Sequence, residues 1–163
     1  MKIHAGVITI SDKGFRGERE DKSGQVIMAM LKDAGIDVAC IKIIPDEKDQ
    51  IRETLIDFAD KMNLPLIVTT GGTGVSPRDV TPDATLEIID KEVPGMAEAM
   101  RQASADITPH AMISRAVVGI RGRSLIVNLP GSPKAVRENL AVILPALPHA
   151  VEKIKGDDAE CAS

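Results

Sequence analysis

A chain of 163 residues, 44% hydrophobic and 27% charged, is long enough to bury the core of one ordinary domain without covalent staples. Its net charge of −4, with acids and bases interspersed, argues against a nucleic-acid surface. With no Trp or Tyr, and Phe15 and Phe58 as the only other aromatics, bases have no stacking platform.

No apolar run approaches the roughly 20 residues of a membrane span, and the opening residues lack a signal-peptide pattern. Cys40 and Cys161 lie far apart and form neither a disulfide framework nor a metal motif. His4, His110 and His149 are scattered, so a protein-built zinc site is not expected. The expected compartment is a reducing cytoplasm.

Residues 3–10 are nearly all apolar or small and read as a strand buried on both faces of a parallel sheet. It ends at Ser11-Asp12, which is either a strand-end turn or a ligand contact, and the charged loop 13–21 follows. Residues 23–34 read as a helix with Ile27, Met30, Leu31 and Ala34 on one stripe, stopped by Gly35. A second strand, 38–44, closes on Pro45-Asp46-Glu47, where Asp46 suits either a helix cap or a site. The next helix, 48–62, should turn Ile51, Leu55, Phe58 and Met62 inward. Residues 65–70 form the third strand.

That strand runs into Gly71, Gly72 and Gly74, then into Ser76-Pro77-Arg78-Asp79, and Thr81-Pro82 reads as a helix cap followed by proline at the first helical position. Strand, glycine loop, charged turn and helix start are the parts that hold a phosphorylated ligand at the carboxyl end of a sheet. It is not a P-loop, because Val75 and not Lys follows Gly74, and G-x-G-x-x-G is absent.

Helices are expected over 82–90 and 95–105, the latter with Met96, Met100 and Ala103 as a packing stripe, and a short helical segment over 110–114. Two strands, 117–120 and 124–129, flank Arg121-Gly122-Arg123 at hairpin spacing, so the sheet should be mixed. Asn128-Leu129-Pro130-Gly131-Ser132-Pro133 repeats the earlier device, with Ser132 as cap. A last helical stretch is broken by Pro145 and Pro148. The expectation is a three-layer α/β/α domain over residues 1–156 with a mostly parallel mixed sheet and one cleft along its loop edge, followed by a frayed polar tail, 157–163.

The T-T-G-G-T-G-V-S-P-R-D-V-T-P-D-A-T run at 69–85, with P-D-E at 45–47, P-G-M at 94–96, S-R-A at 114–116 and N-L-P-G-S-P at 128–133, resembles the MogA/MoaB family of molybdenum-cofactor biosynthesis proteins. The same domain forms the G domain of gephyrin, and the resemblance covers residues 3–155. It implies a homotrimer that binds ATP and molybdopterin, adenylylates the terminal phosphate of molybdopterin, releases pyrophosphate, and passes its product to a downstream molybdenum-insertion protein. It also implies that Asp46 and Asp79 carry the reaction. Thr70, Gly71, Gly72, Thr73, Gly74, Ser114, Asn128, Gly131 and Ser132 are the implied ligand contacts. The alternative is a non-catalytic molybdopterin-binding or scaffold member; the intact Asp46 and Asp79 argue against it.

Adenylyl transfer gathers negative charge, so it asks for positioning and neutralisation. Asp46 and Asp79 are expected to hold Mg²⁺ against the ATP phosphates. A general base is less needed, because a phosphate nucleophile is already ionised near neutral pH. Ser11 and Asp12 keep a contact reading from their strand-end position, and Arg78 suits either a phosphate or a structural ion pair.

Overall fold

The computed structural model describes residues 2–156. The chain runs β1 (His4–Ile10), a single turn α1 (Asp12–Phe15), α2 (Lys22–Asp33), β2 (Asp37–Ile44), α3 (Lys48–Ile56), a π-helical turn (Asp57–Lys61) and β3 (Leu66–Thr70). It continues with α4 (Thr81–Ile88), β4 (Lys91–Glu92), α5 (Pro94–Ala105), a 3₁₀ turn (Pro109–Ile113) and the β5–β6 hairpin (Val118–Arg121, Ser124–Leu129). Helix α6 (Pro133–Ile143), a 3₁₀ turn (Leu144–Ala146) and α7 (Leu147–Ile154) follow. The expected tail, 157–163, lies outside the described residues.

Six strands form one sheet in the order β2-β1-β3-β6-β5-β4. Strands β2, β1, β3 and β6 pair in parallel, whereas β6–β5 and β5–β4 are antiparallel. Strand alternation sorts the core into two layers. Val7, Val68 and Val127 face α2, α5, α6 and α7, where Ile27, Leu31, Met100, Val136 and Leu140 pack. Ile8, Ile67 and Ile126 face α3, the π turn and α4, where Ile51, Leu55, Phe58 and Ile88 pack. Each such side chain stabilises the fold by about 1.5–3 kcal/mol relative to exposure. The expected three-layer α/β/α architecture with a mixed, mostly parallel sheet is what forms.

Four local expectations are corrected. The helix after β2 does not stay regular to Met62: the wider turn at Asp57–Lys61 shifts the phase, so Phe58 is buried but Met62 is 44% exposed. Ala34 is not on the buried stripe; it is the exposed residue that ends α2. Thr81 is not the cap of α4, since Val80 holds that position and the Thr81 hydroxyl donates instead to the Gly71 carbonyl at 2.9 Å. Helix α2 begins at Lys22, one residue earlier than expected, with Asp21 as its cap. Strand β4 has no counterpart in the sequence reading. It is two exposed charged residues held by backbone pairing of Lys91 with Ile120 and Glu92 with Gly119.

Candidate functional site

A cavity of about 760 Å³ opens at the carboxyl ends of β1, β2, β3 and β6. The chain leaves β1 for β2 on one side, while β3 has β6 as its other neighbour. The cavity therefore sits where strand order reverses, the usual ligand position in open α/β sheets.

Its floor is two glycine loops stitched together. The Gly71 N–H donates to the Leu129 carbonyl at 3.2 Å, and the Thr70 hydroxyl donates to the Pro130 carbonyl at 2.6 Å. Gly71 and Gly72 have φ of +97° and +66°. A Cβ at Gly71 would collide with the Ile10 carbonyl and one at Gly72 with the Thr81 hydroxyl, so neither position accepts a side chain. The Gly131 carbonyl accepts from the Ser23 hydroxyl at 2.6 Å, and Ser132 caps α6 by accepting from the Ala135 N–H. Thr70, Gly71, Gly72, Gly131 and Ser132 all line the cavity.

Asp46 and Asp79 face the same space from separate loops. Asp46 and Asp12 exchange reciprocal bonds: the Asp12 N–H donates to Asp46 Oδ2 at 2.9 Å and the Asp46 N–H to Asp12 Oδ1 at 3.0 Å. Burial pushes the Asp46 carboxyl above its ordinary value, and the charges of Asp12 and Asp79 add to the rise. The Arg78 guanidinium holds Asp12 below the usual carboxylate range. It donates to Asp12 at 2.9 and 3.1 Å and to Glu47 at 2.9 Å, so Arg78 is engaged in a protein ion pair outside the cavity lining. Asp79 Oδ2 accepts from the Ser76 N–H at 3.0 Å.

The other sequence candidates separate by place. Ser11 lines the cavity and caps α1 by accepting from the Gly14 N–H. Thr73 is buried; Thr73 and Gly74 give their carbonyls to Arg115, at 2.8 Å each. Asn128 is fully buried, accepting from the Val117 N–H and donating to Thr69 and Thr85, and it lies behind the floor. Ser114 lines a separate pocket of about 180 Å³ beside Pro130.

Several lining residues escaped the sequence reading. Thr9 donates to Asp21 Oδ2 at 2.8 Å, while Asp21 Oδ1 accepts from the Gly24 N–H. Arg19 and Lys22 bring cationic groups to the wall. The signal available for them was Asp21-Lys22-Ser23-Gly24, a helix start directly after a charged loop.

Residues 6–149 match the family model described as "probable molybdopterin binding domain". A molybdopterin adenylyltransferase from Helicobacter pylori (strain J99) is 43% identical over 157 residues, covering 95% of this chain and 89% of that protein. Gephyrin from Dictyostelium discoideum is 44% identical over 156 residues, covering 90% of this chain but 22% of gephyrin. Among solved structures, the molybdopterin biosynthesis enzyme MoaB from Thermus thermophilus superposes with a TM-score of 0.90 at 50% identity, covering 94% of this chain and 97% of that one.

Proposed function

The chain belongs to the molybdopterin-binding domain family of molybdenum-cofactor biosynthesis and is a molybdopterin adenylyltransferase, and we propose that the transfer takes place in the 760 Å³ cavity between Asp46 and Asp79. A terminal phosphate oxygen of molybdopterin attacks the α-phosphorus of ATP. The bond to the bridging oxygen of the β-phosphate breaks, and pyrophosphate leaves. The observation that carries this assignment is that two carboxylates from different loops meet over a glycine floor in one cavity.

Mg²⁺ fits this donor set. Among the described residues no group of three or more His, Cys, Asp or Glu is placed to cage a metal. Two carboxylates that share a site with phosphate oxygens and water suit magnesium, which is seldom held by protein ligands alone. Bound there, Mg²⁺ supplies positive charge against the triphosphate. Asp46 and Asp79 orient it, and Arg19 and Lys22 add cationic charge at the wall. Gly71 and Gly72 let the backbone approach a phosphate without a side chain between them. Ser11, Thr70, Gly131 and Ser132 are the proposed ligand contacts. Asp12, Thr73, Gly74, Arg78 and Asn128 hold the loops that present them, and Ser114 borders a neighbouring subsite.

Residues 1–156 act as one catalytic domain, an assignment supported by the single sheet and by the extent of the family match. Exposed Ile107, Met112 and Ile113 around the Pro109–Ile113 turn support burial of that edge in the homotrimer that we propose. Light scattering should give three chains per particle; a monomer would remove the assignment. The proposed cytoplasmic setting rests on the absence of a disulfide pattern in Cys40 and Cys161, and the hand-over to a molybdenum-insertion protein follows from the family resemblance.

The test of the reaction is pyrophosphate release from ATP and Mg²⁺ by purified protein, with and without molybdopterin. Molybdopterin-dependent release is expected. Tight molybdopterin binding with no release would replace the enzyme by the scaffold reading.

A further inference from the structure

Asp79 sits on a loop with little apolar anchorage: Val75 is 64% exposed, and Ser76, Pro77 and Arg78 are exposed beside it. Polar ties must therefore set its course, and besides those of Arg78 and Ser76 several converge on one residue that lies outside the cavity. The Arg115 backbone N–H donates to the Thr73 carbonyl at 2.8 Å. Its Nε donates to the Gly74 carbonyl at 2.8 Å, and Nη2 donates to the Asp79 carbonyl at 2.6 Å. Both Nη atoms also bind the Asp83 carboxylate, at 3.1 to 3.2 Å, in the first turn of α4. The guanidinium holds Asp83 below the usual carboxylate range.

One planar fork thus joins the start of the loop, its end and the helix that follows. We propose that Arg115 is the positioning residue for Asp79: it sets where the Asp79 carboxylate meets the nucleotide-bound metal, without touching substrate. The proposal rests on the role given above to Asp79. Lysine cannot replace Arg115, because a single ammonium lacks the fixed fork that reaches both loop carbonyls and the carboxylate together. A supporting residue of this kind typically changes metal affinity or activity about 10- to 100-fold.

The test compares Arg115→Lys, Arg115→Ala, Asp79→Asn and the Arg115→Lys/Asp79→Asn double variant. For the Arg115 variants the half-saturating Mg²⁺ concentration is expected to rise about 10- to 100-fold, with the KM for molybdopterin within about twofold. Guanidinium ion added to Arg115→Ala should restore part of the rate. In the ligand-free protein, amide hydrogen exchange should quicken over residues 73–79 alone, with Tm little changed for Arg115→Lys. The double variant should be no worse than Asp79→Asn, since both act through one carboxylate.

A folded Arg115→Lys with unaltered Mg²⁺ dependence and loop exchange would overturn the clamp while leaving the Asp79 assignment standing. Fully additive losses in the double variant would overturn it as well. A fully active Asp79→Asn would overturn both the clamp and the reading beneath it, and that result is read independently of Arg115.

Discussion

The loops after β2 and β3 each deliver one aspartate to the same cavity, and they are held by opposite means. Asp46 follows directly on buried Ile44 and Pro45 and is knitted to Asp12 through backbone N–H groups. Asp79 stands on an exposed loop tied by Arg115, by the Ser76 N–H and by Arg78 to Asp12 and Glu47. Rigidity at the first comes from the core and is paid for in a perturbed carboxyl. Rigidity at the second comes from polar ties, and the carboxylate stays close to solvent-facing residues. The first loop should resist mutation of any one side chain, whereas the second should fail when its anchors are lost.

The largest effect should come from Asp79→Asn, with adenylyl transfer falling by more than about 100-fold, beyond the usual loss for a merely supporting residue. Circular dichroism and Tm should stay near wild type. Next is Gly71→Ala, which forces a side chain into a left-handed backbone and against the Ile10 carbonyl. The conformation alone costs about 1–3 kcal/mol, so denaturant titration should show that loss together with loss of nucleotide binding.

Asp46→Asn sharpens the contrast through pH. Because its pKa is raised in the folded protein, the charged form costs stability above that pKa, and the cost disappears as pH falls through it. Asp46→Asn should therefore lose activity and yet raise Tm slightly at pH 7. In the wild type, the acid limb of kcat/KM should lie above pH 3.8, the ordinary aspartate value. The smallest effect is expected from Arg78→Gln. Its pairs with Asp12 and Glu47 lie at the exposed surface and are screened by solvent, so the loss of stability should be small. The Asp12 pKa is lowered, so its share is present above the unfolded value and lost as pH falls through the folded one. The two proteins should become equally stable once pH falls below the lowered pKa of Asp12, a point beneath the ordinary aspartate value of 3.8.

Those contrasts also mark what could be read in advance. The sheet was legible because β1, β3 and β6 are apolar runs and glycines end β3 and β6. Glycine announces a positive φ by its identity, so Gly71 and Gly72 were found directly. The π turn was not, because Asp57-Phe58-Ala59-Asp60-Lys61 continues a plausible helical stripe and only tertiary packing widens the turn. Strand β4 was illegible because two exposed charged residues carry no alternation. Asp46 and Asp79 came from motifs, and Arg115 lay in the S-R-A motif, where only Ser114 was given a role. The loop partners of Arg115 are main-chain carbonyls, which every residue possesses, so no particular side chain in the loop points to it.

The two glycine loops carry one further lesson about sign. The carbonyls of Gly71, Pro130 and Gly131 each accept a hydroxyl, from Thr81, Thr70 and Ser23. Each of these oxygens is a partial negative charge in a loop that lines the cavity. The protein thus quenches its own lone pairs in advance with small uncharged side chains. A molecule of net charge −4 can in this way welcome phosphates by muting what would repel them, without spreading basic residues across its surface.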